Sequence, residues 1–197
     1  MKQTRPYPMK IILASHSPRR QELLAGLDLD FEVKVLPDIA EDYPDDMPTE
    51  KIAEYIAVEK ADSYLPLLQT DELVITADTV VIVDGEVLGK PTDETDAKRM
   101  LQMISGRTHQ VVTGVCLTAK DRQRHFSVLT DVTFKQLTDD EIDYYICTYH
   151  PFDKAGAYGI QEWIGHVGVS SIHGSYFNVM GLPVQRIWNE LQTFCCQ

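Results

Sequence analysis

Cysteine is scarce, four in 197 residues, and Cys116, Cys147, Cys195 and Cys196 show no metal-ligand spacing. That excludes a disulfide-stapled scaffold or a zinc ribbon and suits a reducing cytoplasm with incidental thiols. No stretch approaches the roughly 18 apolar residues of a membrane span. The basic start, with Lys2, Arg5 and Lys10, is followed by no apolar run of signal-peptide length. Positive charge is also in deficit: a formal charge of −12 argues against a nucleic-acid coat or an anionic membrane surface as main partner. Neither G-x-x-x-x-G-K-[ST] nor G-x-G-x-x-G occurs, so a P-loop and a Rossmann fingerprint are both excluded. The histidines (16, 109, 125, 150, 166, 173) have no zinc spacing, and no serine sits in a nucleophile elbow. Internal repeats, low-complexity tracts and linkers are missing as well.

What remains is an ordinary globular composition, 44% hydrophobic and 24% charged, with enough length to bury a real core. The chain reads as a single domain over residues 1–197, with two lobes around a central cleft as the variant. Lys10–Ala14 is a buried strand and Pro18–Gly26 a helix with Ser17 at its N-cap and proline at its first position. Phe31–Leu36 alternates like a strand, Asp38–Met47 is an acidic loop, and Thr49–Tyr64 is helical. Leu73–Ala77 is a buried strand ending at Asp78-Thr79, followed by a hairpin, Val80–Val83 and Glu86–Leu88, around Asp84-Gly85. A helix from about Asp93 to Ile104 precedes two long strands, Gln110–Ala119 and His125–Gln136. Thr138–Glu141 is a capping box opening a helix to about Tyr149. Short strands are expected around His166–Val169 and Tyr176–Met180, and a last helix from Pro183 buries Val184, Ile187, Trp188 and Leu191. The order predicts an α/β fold: a mixed twisted sheet with flanking helices, parallel near the N-terminus and antiparallel in the middle.

Several of the basic residues that stand out, Arg19, Lys90 and Arg107 among them, lie beside Gly, Ser or Pro, in segments that read as turns. Arg19 and Arg20 fall in the first turn of the helix after Ser15-His16-Ser17. The dipole there disfavours cations by roughly 0.3–1 kcal/mol each, so a phosphate is the natural partner; a solvated helix start is the plain alternative. Asp78, at the end of an apolar strand, suits a carboxylate that binds a divalent cation or takes a proton from water. Lys60 shares a helix side with Ile56, Lys90 sits between Gly89 and Pro91, and Lys154 opens D-K-A-G-A-Y-G-I-Q. In that segment Gln161 offers an amide able to read a base edge. Arg107, just past a helix end, is where a cation is expected in any case. Convergent cations with carboxylates suit metal-assisted attack on a polyphosphate.

The ordered motifs L-A-S-H-S-P-R-R-Q-E-L-L, A-D-T-V-V, G-K-P, S-G-R-T-H-Q-V-V-T-G-V, D-K-A-G-A-Y-G-I-Q and F-N-V-M-G-L-P-V resemble those of Maf proteins. These are septum-formation-inhibitor-like nucleoside triphosphate pyrophosphatases, and the likeness runs from about Ile11 to the last helix. It implies a fold shared with inosine-triphosphate pyrophosphatases and a cytoplasmic homodimer. The implied reaction takes a nucleoside triphosphate and water to the monophosphate and pyrophosphate with Mg²⁺ or Mn²⁺, a house-cleaning role in the nucleotide pool. Asp78 matches the family's proton acceptor. Arg19, Thr79 and Gln161 match positions tied to substrate choice and look like the branch acting on dTTP and UTP. Ser15, Arg20, Glu41, Lys60, Lys90 and Lys154 resemble the remaining polar site residues, with Glu41 and Asp78 as the metal ligands.

Two departures stand out: Ala40 where a carboxylate is common, and Glu162-Trp163 in place of the glycine that usually follows the glutamine. The competing functions are a nucleotide-sensing regulator of cell division without turnover, and a pyrophosphatase for modified purine nucleotides such as 7-methyl-GTP.

Overall fold

The computed structural model describes residues 7–37 and 39–194. Lys2, Arg5, Asp38, Cys195 and Cys196 lie outside the described residues. Among those described, seven strands form a mixed sheet of order β2-β1-β3-β5-β6-β7, with β4 on β3. The chain divides into two compact units, residues 1–78, 113–128 and 181–197 in the first, and 79–112 with 129–180 in the second.

In the first unit β1 (Lys10–Leu13) pairs in parallel with β2 (Phe31–Val33) on one side and β3 (Glu72–Val83) on the other. Ile11, Ile12 and Leu13 are buried, as a strand flanked on both edges requires. Helix α1 (Pro18–Ala25) takes Ser17 as N-cap and buries Leu23 and Leu24. Helix α2 (Thr49–Tyr64) buries Ile52, Ala53, Ile56, Ala57 and Ala61. Its backbone lies directly on β5 (Thr108–Ala119): a Cβ at Gly114 would stand 2.2 Å from the Ala53 carbonyl. The buried Thr76 hydroxyl donates to the Ala57 carbonyl at 2.6 Å and ties β3 to the same helix. At the far end of α2 the Tyr64 hydroxyl donates to Lys34 O and accepts from Leu36 N–H. That pair of bonds pins the chain just before the acidic loop. Helix α7 (Val184–Phe194) closes the unit, burying Ile187 and Leu191, while Trp188 is half-buried.

The second unit begins where β3 continues into its hairpin with β4 (Glu86–Leu88). Asp84 and Gly85 both adopt positive φ, which a two-residue hairpin turn requires. Helix α3 (Glu94–Ile104) is capped by Asp93, and α4 (Asp139–Tyr149) by the Thr138–Glu141 capping box. β6 (Gln123–Phe134) pairs antiparallel with β7 (Val169–His173).

Three expectations are corrected. Asp78 is not at a strand end: β3 runs unbroken through Asp78 and Thr79 to Val83, because Val81–Val83 find a partner in β4. The residues expected as a strand around His166–Val169 form helix α5 (Trp163–Gly168), with β7 beginning only at Val169. Tyr176–Val179 is also helical, α6, capped by the Ser175 side chain. Both helices are too short to display a period in sequence.

His109 is buried against Phe134 and Tyr158. Its Nε2 pairs with the Tyr158 hydroxyl at 2.8 Å, while its Nδ1 has no hydrogen-bond partner among the described residues. Burial lowers its pKa to about 4, so the native ring is neutral while the unfolded ring titrates near 6.5. The resulting stability is complete above about pH 6.5, falls as pH drops toward 4 and is flat below, a loss of roughly 3 kcal/mol. Urea unfolding at pH 7 and pH 4.5 measures it, and His109→Gln should remove that share of the acid sensitivity.

Candidate active site

Within the first unit the site starts from the bend that joins β1 to α1. The buried Ser15 hydroxyl accepts the Ser17 N–H at 3.2 Å, and Ser17 Oγ accepts the Arg20 N–H at 3.5 Å. Gln21 Nε2 donates back to the Ser15 carbonyl. The two serines therefore shape the turn that sets Arg19 and Arg20 in the first helical turn. Arg20 is half-buried; its Nε donates to Gly181 O and its Nη1 to Ala77 O, both at 2.8 Å. Two of its five donors are spent on backbone, which locks the guanidinium beside residue 78. Burial lowers the Arg20 pKa, opposed by Asp78; Arg19 lowers it further and Glu41 raises it. Those interactions put Arg19, Arg20, Glu41 and Asp78 in one electrostatic neighbourhood.

Lys60 completes it. Its Nζ lies 2.8 Å from Asp78 Oδ1 and 2.7 Å from Glu41 Oε1, and its side chain is 13% exposed. One ammonium thus draws together a carboxylate from β3 and one from the acidic loop. Ala40 leaves that position of the loop without a carboxylate, and Glu41 beside it reaches the lysine. Asp78 sits past the end of its neighbour: Leu13, the last residue of β1, pairs with Ile75. The carboxylate is therefore at the carboxyl edge of the parallel strands although its own strand continues, the edge where open α/β sheets gather ligands.

Thr79, Lys90, Lys154 and Gln161 belong to the second unit. Thr79 is half-buried, whereas Lys90 and Gln161 are exposed. The Lys90 loop is fixed by Gly156 N–H donating to Gly89 O at 3.0 Å. Gly156 needs its φ of +68°, and a Cβ there would meet the Val81 side chain at 3.0 Å. Lys154, 8% exposed, is held by Asp153 at 2.7 Å and Glu162 at 3.0 Å. Arg107 pairs with Asp84 at the surface.

Sequence reasoning misses two features here. Nothing local signals that Arg20 would reach the carbonyls of Ala77 and Gly181, because carbonyl partners have no residue signature. The Glu162 contacts are missed because a carboxylate beside Gln161 reads as surface charge.

Two carboxylate oxygens gathered around a cation form a donor set suited to Mg²⁺ or Mn²⁺, hard ions that take oxygen ligands. Among the described residues no group of three or more His, Cys, Asp or Glu could hold a metal. Cys116 is buried, its thiol pushed up to about 12 by burial, and is inert. No helix among the described residues is long and apolar enough to cross a membrane.

Three cations and two carboxylates at the carboxyl edge of parallel strands define a protein equipped for phosphate chemistry. The chain belongs to the Maf family: the pattern of Maf-like proteins matches residues 10–194. A dTTP/UTP pyrophosphatase of Phocaeicola vulgatus is 62% identical over 93% of this chain and 95% of that protein. A dTTP/UTP pyrophosphatase of Porphyromonas gingivalis is 57% identical over 94% of each. Among solved structures, a Ham1 protein of Staphylococcus aureus superposes with a TM-score of 0.43 at 17% identity, covering 64% of this chain and 71% of that one.

Proposed function

We propose that this protein is a nucleoside triphosphate pyrophosphatase that hydrolyses dTTP and UTP to the monophosphate and pyrophosphate, a house-cleaning role in the nucleotide pool. The observation that carries it is the Lys60 ammonium held between Glu41 and Asp78, beside Arg20. Two carboxylates near the phosphates repel a triphosphate unless they hold a cation or accept a proton, and a hydrolase uses them for both. The relatives above, named for this activity, support the same reading.

In the proposed chemistry, Arg19, Arg20 and Lys60 offset the phosphate charge, and Ser15 and Ser17 shape the helix start that faces it. Asp78 accepts the proton of the water that attacks the α-phosphorus, and pyrophosphate leaves. Lys60 holds Asp78 Oδ1, so Oδ2 is the oxygen that receives the proton. Glu41 and Asp78 would hold Mg²⁺ or Mn²⁺, which supplies charge neutralisation on the phosphates and acidifies water when bound. General-base help is worth about 10²–10⁴-fold, and electrostatic stabilisation of the developing phosphate charge adds more. Thr79, Lys90, Lys154 and Gln161 are the proposed contacts for the rest of the nucleotide and its selection. The protein is proposed to act as a cytoplasmic homodimer.

A nucleotide panel with Mg²⁺, scoring pyrophosphate against orthophosphate, tests the reading. Pyrophosphate from dTTP and UTP supports it. Orthophosphate would indicate cleavage at the γ-phosphate, turnover confined to purine nucleotides would move the protein to another branch, and binding without turnover would make it a sensor.

A further inference from the structure

The segment Lys154–Gln161 carries two proposed nucleotide contacts, and its own backbone is unfavourable. Gly156 and Ala157 both adopt left-handed conformations, with φ of 68° and 57°. Alanine rarely stays there unless its surroundings impose it. Something must hold this loop, and the structure shows what does.

The Glu162 carboxylate receives both ends of the segment. Its Oε1 accepts from Lys154 Nζ at 3.0 Å, and its Oε2 accepts from the Tyr145 hydroxyl. That hydroxyl in turn accepts the Gly159 N–H at 3.0 Å. Tyr145 is wholly buried on α4, so the anchor point is rigid. The carboxylate lies close against Gly159, where a Cβ would stand 2.8 Å from Glu162 Cδ and 3.0 Å from Lys154 Cε. Glu162 N–H also donates to Gly159 O, closing the turn that presents Gln161. Asp153, the other carboxylate on Lys154, has a side chain 61% exposed and is a poor substitute as an anchor.

The geometry points to Glu162 as a positioning residue that, through Lys154 and Tyr145, fixes the Lys154–Gln161 loop and thereby sets which nucleotide bases the Gln161 amide accepts. This rests on the pyrophosphatase reading for its substrate. It assigns Lys154 a second task, as the charged half of a loop clasp.

The test uses the whole chain and four variants, Glu162→Ala, Glu162→Gln, Tyr145→Phe and the double substitution Tyr145→Phe/Glu162→Ala. Hydrogen exchange of the peptide covering residues 155–161, measured without nucleotide, should rise about tenfold or more in Glu162→Ala, with the rest of the chain unchanged. Glu162→Gln, which keeps an acceptor for Tyr145, should recover part of the protection. Steady-state pyrophosphate release should show KM for UTP raised about tenfold in Glu162→Ala against a kcat change of about threefold or less. The ratio of kcat/KM for UTP to that for GTP should fall in parallel. If both groups work as one clasp, Tyr145→Phe combined with Glu162→Ala should cost little more than Glu162→Ala alone.

Unchanged loop exchange in Glu162→Ala would overturn the clasp. Raised exchange with wild-type KM and base preference would overturn its role in selection, and so would fully additive effects of the two substitutions. A wild-type protein that releases no pyrophosphate from any nucleotide would overturn the pyrophosphatase reading and the role in selection with it. The exchange measurement would still decide the clasp.

Discussion

Asp78→Asn should lower kcat for UTP by about 10²–10⁴-fold, the range expected when a general base is removed. The substitution is nearly isosteric, and an asparagine Oδ1 can still accept from Lys60 Nζ, which lies 2.8 Å from the native oxygen. The strand around it is unaffected, because Ala77 and Val80 are buried by apolar contact and Arg20 holds the Ala77 carbonyl rather than the carboxylate. What disappears is the ability to take a proton and one negative charge. Losing that charge beside a triphosphate removes a repulsion, so affinity for a non-hydrolysable UTP analogue, measured without divalent metal, should stay within about threefold or tighten. Pyrophosphate release and calorimetric binding measure the two quantities separately. A variant retaining more than about a tenth of the wild-type kcat would show that Asp78 is not the base.

The placement of Asp78 also shows where sequence pattern and structure part. A polar pair between two apolar runs reads as a strand end, and β3 nonetheless continues through it. The reason is tertiary: β1 stops opposite Ile75, leaving Asp78 beyond it, and β4 supplies the next pairing. Helix caps are readable because their chemistry is local; Ser17, Asp93 and Thr138 all cap as their residue types require. Helix α5 is not readable, since its shape depends on Gly165 lying against Ile160, where a Cβ would stand 2.0 Å from the carbonyl oxygen. The site follows the same division. Lys60 is readable as a lysine on the inner side of α2, one turn past Ile56. That its ammonium would join Glu41 to Asp78 depends on where Tyr64 pins the chain after β2, a contact between distant segments with no sequence signature.

That junction makes Lys60→Met the second large effect, with kcat/KM for UTP falling about 10²–10³-fold, the cost of removing one preorganised electrostatic group from a reacting centre. Methionine keeps the unbranched apolar stem of the lysine and removes the ammonium with its charge and its hydrogen bonds. Glu41 and Asp78 then face each other with no ammonium between them. At about 4–5 Å and an effective dielectric near 20, two like charges repel by roughly 3–4 kcal/mol. Glu41, with a side chain 48% exposed, sits on the acidic loop, whereas Asp78 is held in β3. The carboxylates also lose a competitor for divalent ions, so the Mg²⁺ concentration giving half-maximal rate should fall even as the maximal rate drops. A Mg²⁺ titration of both proteins reads this directly. A variant within tenfold of wild-type kcat/KM, with an unchanged Mg²⁺ requirement, would reduce Lys60 to a structural ion pair. The opposite result ties one residue to two tasks: orienting the base, and keeping the two carboxylates together for the charge that arrives with the nucleotide.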